Sequence, residues 1–142
     1  MGIDWIHQLH DQLDRYWQRQ LRPRLSGLAD EEYFWEPVPG CWNVRRRGEG
    51  TAPMAIGAGE FTVDVAIPDP DPAPVTTIAW RLAHIIVGVL GDRTANHFGG
   101  PAAESWEDAP MTQLVLHINR EKIHHGAEVC LLRDLYLHRA VG

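Results

Sequence analysis

Only two cysteines, Cys41 and Cys130, occur in this chain of 142 residues. They do not make a disulfide framework, and reduced thiols are the simpler expectation. No uninterrupted apolar run reaches the roughly 18 residues of a membrane span. The first residues, Met1-Gly2-Ile3-Asp4-Trp5, lack the charged and apolar regions of a secretory signal. A basic surplus is missing too. The formal charge of −6 argues against nucleic acid as a partner, because phosphates call for a basic face. Ser26 and Ser105 sit in plain contexts without a nucleophile elbow, and Gly48-Glu49-Gly50 lacks the flanking strand and helix of a phosphate loop. There is no internal repeat. The expectation is one soluble, cytoplasmic domain over 1–142, with no nucleic acid and no membrane. With 44% apolar and 23% charged residues the chain can bury its own core.

Three helical segments are legible. Ile6, Leu9, Leu13, Trp17 and Leu21 recur at three- and four-residue steps, predicting an amphipathic helix over 4–25 with Asp4 as its cap. Pro23 falls near its end. A connecting stretch follows, with one short helical turn around Asp30 to Trp35, and Pro37-Val38-Pro39-Gly40 ends it. Residues 41–75 hold much of the chain's glycine and proline and read as an irregular insertion. Within it, Phe61 to Ile67 alternates at period two, as a strand in a hairpin would. Pro68 to Pro74 reads as an extended spacer. A second helix is predicted from Thr76 or Thr77 to about Phe98, apolar nearly all round and hence central. Gly99 to Pro110 reads as a loop, and a last helix runs from Met111 or Thr112 to His138.

The last helix carries the chemistry. His117, Glu121 and His125 follow at i, i+4 and i+8 and form one stripe, which Glu128 extends. At 100° per residue, Leu114, Ile118 and Leu132 share that sector, so the stripe points inward. An unpaired carboxylate buried there costs several kcal/mol, a penalty that a bound cation removes. Imidazole with carboxylate suits Zn, Fe or Ni. Glu121 and His125 are the pair with ligand spacing, and His117 or Glu128 are third choices from the same helix. His124 diverges from His125 by about 100° and cannot face the same ion squarely. His84, on the Trp80 face of the second helix, is a core histidine if taken alone and a ligand if that face meets the stripe. Gly126 in mid-helix points to close approach of its backbone to a neighbour. Arg45-Arg46-Arg47 reads as a solvated loop or, less simply, as a pocket mouth for an anion. Cys41 is treated as inert, Cys130 as core, and His7 and His10 as structural.

Thr77 to Ile85 (TIAWRLAHI), and His117 to Glu128 (HINREKIHHGAE) followed by Leu132-Arg133-Asp134-Leu135-Tyr136, resemble the DinB-like superfamily. Leu28 to Glu32, Trp35-Glu36-Pro37 and Trp42 resemble that family's segment after its first helix. The resemblance covers most of the chain outside 45–74. It implies an all-α, up-down-down-up helical bundle, here reduced to three long helices if the interval before the last helix holds no third one, with 41–75 as a loop or hairpin insertion. It also implies a divalent metal (Zn, Ni or Fe) on three ligands, which map onto His84, Glu121 and His125. Glu121 stands where the family commonly has histidine, giving a two-His-one-carboxylate set. Relatives include thiol S-transferases and a maleylpyruvate isomerase that use low-molecular-weight thiols such as mycothiol. The expected function is therefore a metal-dependent thiol S-transferase or hydrolase. His124 and Glu128 would be the nearest groups to orient His125 or shuttle a proton. The alternative is a non-catalytic or degenerate module whose His/Glu stripe is structural or lies at a homodimer interface.

Overall fold

In the computed structural model, which describes residues 2–94 and 111–139, Asp4 caps the first helix by accepting a hydrogen bond from the His7 amide at 3.1 Å. Helix α1 runs Trp5–Tyr16, widens into a π-helical turn over Trp17–Leu21, and continues as the short α2, Arg22–Leu25. The widened turn precedes Pro23. In a regular helix the Pro23 ring would clash with the Arg19 carbonyl. The predicted apolar stripe is only partly covered: Leu21 is buried and Leu9 and Leu13 half-buried, while Ile6 and Trp17 are exposed. A further turn, α3 at Asp30–Tyr33, lies inside the segment predicted to hold one.

The all-α bundle expected above is contradicted. Segment 41–75 holds strands β1 (Val44–Arg46), β2 (Met54–Ile56) and β3 (Phe61–Val65), so the molecule is mixed α/β. They form an antiparallel sheet of order β1-β3-β2, with Val63 opposite both Val44 and Ile56. Strands of three residues are too short to display alternation, so only β3 stood out in the sequence. Its alternation was also inverted in space. Thr62 and Asp64 are buried, at 4% and 1% exposure, while Phe61 is exposed at 47%. The polar face turns inward because it is hydrogen-bonded there. Asp64 Oδ2 accepts from the Asn43 amide at 3.1 Å and from Arg45 Nε at 3.2 Å, which offsets the cost of burying a carboxylate. Gly57, between β2 and β3, has φ +148°, and a Cβ there would lie 2.7 Å from the Phe61 carbonyl oxygen.

Trp42 joins the sheet region to the helices. Its amide donates to the Val75 carbonyl at 2.9 Å, and its carbonyl accepts from the Thr77 amide at 3.0 Å. Thr77 is the cap of helix α4, Ile78–Thr94, since its hydroxyl accepts from the Trp80 amide at 3.2 Å. Helix α5 spans Met111–His138 and packs along α4 and α1. The core is Leu21, Ile78, Val129 and Leu132, with Tyr16, Leu25, Leu28, Tyr33, Leu82 and Cys130 against it. The end of the second helix near Phe98, the predicted loop 99–110 and any third helix there lie outside the described residues. Among the described residues, no helix is long and apolar enough to cross a membrane.

Candidate metal centre

Helices α4 and α5 bring the three mapped ligands together. His125 Nε2 lies 3.1 Å and His84 Nε2 4.0 Å from the same oxygen, Glu121 Oε2. One donor atom from each residue falls in a group no wider than 4.8 Å. A tetrahedral ion with ligand bonds of about 2.1 Å spaces its donors about 3.4 Å apart, so adjustments of about 1 Å would close the set. The two imidazoles meet edge to face, with centroids 4.6 Å apart.

His84 and Glu121 are each in the form a cation needs. Burial, and then the neighbouring His125, push the His84 pKa down to about 4, against a smaller upward pull from Glu121. Although 41% of its side chain stays open, His84 is neutral at pH 7 and its lone pair is available. Burial raises the Glu121 pKa, but the hydrogen bond from Arg120 and the charges of His125 and His117 outweigh it. Glu121 is therefore held below the usual carboxylate range, ionised at neutral pH.

His125 is 10% exposed and fixed at its other nitrogen, where Nδ1 lies 2.6 Å from Glu128 Oε2. A proton on Nδ1 shared with Glu128 leaves the Nε2 lone pair facing Glu121 and His84. Arg81 Nε makes an ion pair with the same Glu128 oxygen at 3.1 Å. Arg81 Nη1 also lies 3.3 Å from His125 Nδ1, but a nitrogen that donates to Glu128 cannot accept from a guanidinium. The shorter contact wins.

His124, His125 and Glu128 form a second geometrically possible cluster. His124 Nε2 is 3.5 Å from Glu128 Oε1, on a side chain that is 63% exposed. A cation there would sit beside the Arg81 guanidinium. Two unit positive charges about 4 Å apart repel by about 4 kcal/mol at an effective dielectric of about 20. Arg81 already supplies the positive charge at that end of the site, which disfavours a cation there relative to the His84 side.

The remaining candidates lie outside this group of donors. His117 Nδ1 is 3.9 Å from Glu121 Oε1 and 2.7 Å from Arg120 Nη2, at the margin of the site. His7 and His10 are exposed on α1. Arg45 pairs with Glu36 at 2.5 Å and Asp64 at 3.2 Å, and Arg46 with Glu60 at 2.7 Å. Arg47 donates to the carbonyls of Gly57 and Gly59. The arginine run thus serves the sheet. Cys41 is buried, donates to the Val38 carbonyl, and has its thiol pKa raised chiefly by burial. Cys130 is raised by burial as well. Neither is an activated thiol.

Sequence reasoning passed over Arg81, Trp80 and Asp64. Arg81 lies three residues before His84 and so shares its face, a signal that was present. The link from Asp64 to Trp80 is tertiary and had no local signature. No protein-family model, no curated protein and no solved structure matches this chain. The functional reading therefore rests on its own residues.

Proposed function

We propose that the protein is a divalent-metal-dependent enzyme of the thiol S-transferase or hydrolase type, acting on a small electrophilic molecule. His84, Glu121 and His125 would hold the ion, and the DinB-like resemblance of their two segments supports the same set. The observation that carries the reading is the convergence of three donors from two helices, with the outer nitrogen of His125 already held by Glu128. A divalent ion with an open position would act as a Lewis acid toward a thiol such as mycothiol, or toward water, drawing off its proton near neutral pH. The chain's own part would be to keep His84 neutral and both imidazoles oriented. Glu128 would hold the His125 ring, and the exposed His124, beside Glu128, would pass a proton to solvent.

Protein purified without an affinity tag should contain about one Zn, Ni or Fe per chain by elemental analysis. His84→Ala and His125→Ala should each lower this to background. Full occupancy in the double variant would overturn the site.

One observation favours a second reading. Both nitrogens of His125 face carboxylates, at 3.1 and 2.6 Å, so an imidazolium donating to both would satisfy the stripe without an ion. That module would be non-catalytic. It would take up no metal on titration, and chelators would leave its thermal midpoint unchanged.

A further inference from the structure

We propose that Trp80 is the positioning residue of this centre: anchored to the sheet and stacked on His84, it holds that imidazole where its Nε2 faces Glu121 and His125. The inference rests on the metal-site reading.

A histidine ligand has two orientational freedoms, its ring rotation and its tautomer, and metalloproteins usually remove both with a hydrogen bond to the non-ligating nitrogen. His125 makes that bond, its Nδ1–H donating to Glu128. Among the described residues, His84 has no such partner at Nδ1. What it has is an aromatic floor. The Trp80 indole lies one helical turn earlier on α4, with ring centroids 5.0 Å apart and planes 11° from parallel. A stacked ring resists rotation about the imidazole's second side-chain torsion, since turning it would lift its face off the indole.

The floor itself is fixed. Trp80 is 8% exposed, and its Nε1–H donates to the Asp64 carbonyl of β3 at 2.7 Å. The same Trp80 gives its amide to Thr77, whose hydroxyl in turn donates to Asn43 Oδ1 at 2.8 Å. The Asn43 amide reaches back to the Asp64 carboxylate. Backbone and side chain of Trp80 are thus both tied to the buried polar face of the sheet. The Arg81 guanidinium lies over the indole as well, 5.1 Å from its centroid, and pairs with Glu128. One indole therefore supports His84 by contact and His125 through Arg81 and Glu128.

A buried tryptophan could equally be mere core, and Trp42 supplies the control. It is 9% exposed and packs against Trp80 with ring centroids 5.9 Å apart. The test is Co(II) titration of the full chain, with the visible absorption of the bound ion as readout. Trp80→Leu should weaken Co(II) binding by about tenfold or more and alter the visible bands. Trp80→Phe keeps a ring under His84 and should recover most of both. Trp42→Leu should lower the thermal midpoint while leaving affinity and bands near those of the wild type. Wild-type binding in Trp80→Leu would overturn the inference, as would an equal loss in Trp42→Leu.

Absence of Co(II) binding in the wild-type chain would sink the metal reading itself. The positional claim is then judged on metal-free protein by proton NMR. The His84 ring protons should be shifted upfield by the indole face, and unshifted signals would overturn the inference without any variant.

Discussion

A histidine side chain is a ligand only when one nitrogen is bare and the ring is held, and the two histidines of the proposed centre would meet that demand differently. His125 is held by a charge: Glu128 at one nitrogen, itself paired with Arg81. Removing the charge while keeping the shape isolates that contribution. Glu128→Gln should weaken Zn binding by about 10- to 100-fold in competition with a chelating indicator. A change under about twofold would exclude Glu128 from a positioning role. At this scale the four-residue spacing of Glu121 and His125 was legible, because both lie on one helix. The neutrality of His84 was not. It comes from burial between α4 and α5 and from His125, forty-odd positions away.

Between elements, one tight joint lies where the end of α1 and the π-helical turn after it meet α5. A Cβ at Gly126 would strike the Tyr16 hydroxyl and lie 3.0 Å from Tyr16 Cε1 and 3.1 Å from Leu21 Cδ2. The glycine in mid-helix foretold a close neighbour, and the neighbour is this crossing. Burial, with a smaller push from nearby Cys130, raises the Tyr16 pKa from 10.0 to about 12. An unfolded chain gives up that proton near 10, while the folded chain keeps it to about 12. Stability should therefore fall as pH rises through this window. Thermal midpoints of the wild type and Tyr16→Phe between pH 9 and pH 11.5 check the sign, because the variant should lose the Tyr16 share of the decline. The strands were the poorly read elements. In β3 the rule that alternate apolar residues face the core failed, because Asn43 and Arg45 offer the Asp64 carboxylate better partners inside than water does outside.

For the molecule as a whole, one buried ion pair joins the segment after the first helix to the last helix. Glu32 Oε1 and Arg133 Nε are 2.6 Å apart, with side chains 4% and 12% exposed. Arg133 also donates to the carbonyls of Arg24 and Ser26, closing the end of α2. Glu32→Ala leaves a guanidinium buried without its counter-charge and should cost about 3–5 kcal/mol in urea unfolding. Adding Arg133→Met should return part of that loss, and a strictly additive double variant would show that the two charges do not interact. Helical spans and the spacing of Glu121 and His125 were readable because they are local, whereas this pair, the sheet and the Trp80 anchor join residues distant in the chain. That distance sets an order of events. The connection from Asp64 through Trp80 to His84, Glu121 and His125 closes only after the strand, α4 and α5 have all met, and such non-local closures come late in folding. A nascent chain would thus offer an ion scattered histidines rather than a site. Metal capture would mark the completion of folding instead of seeding it.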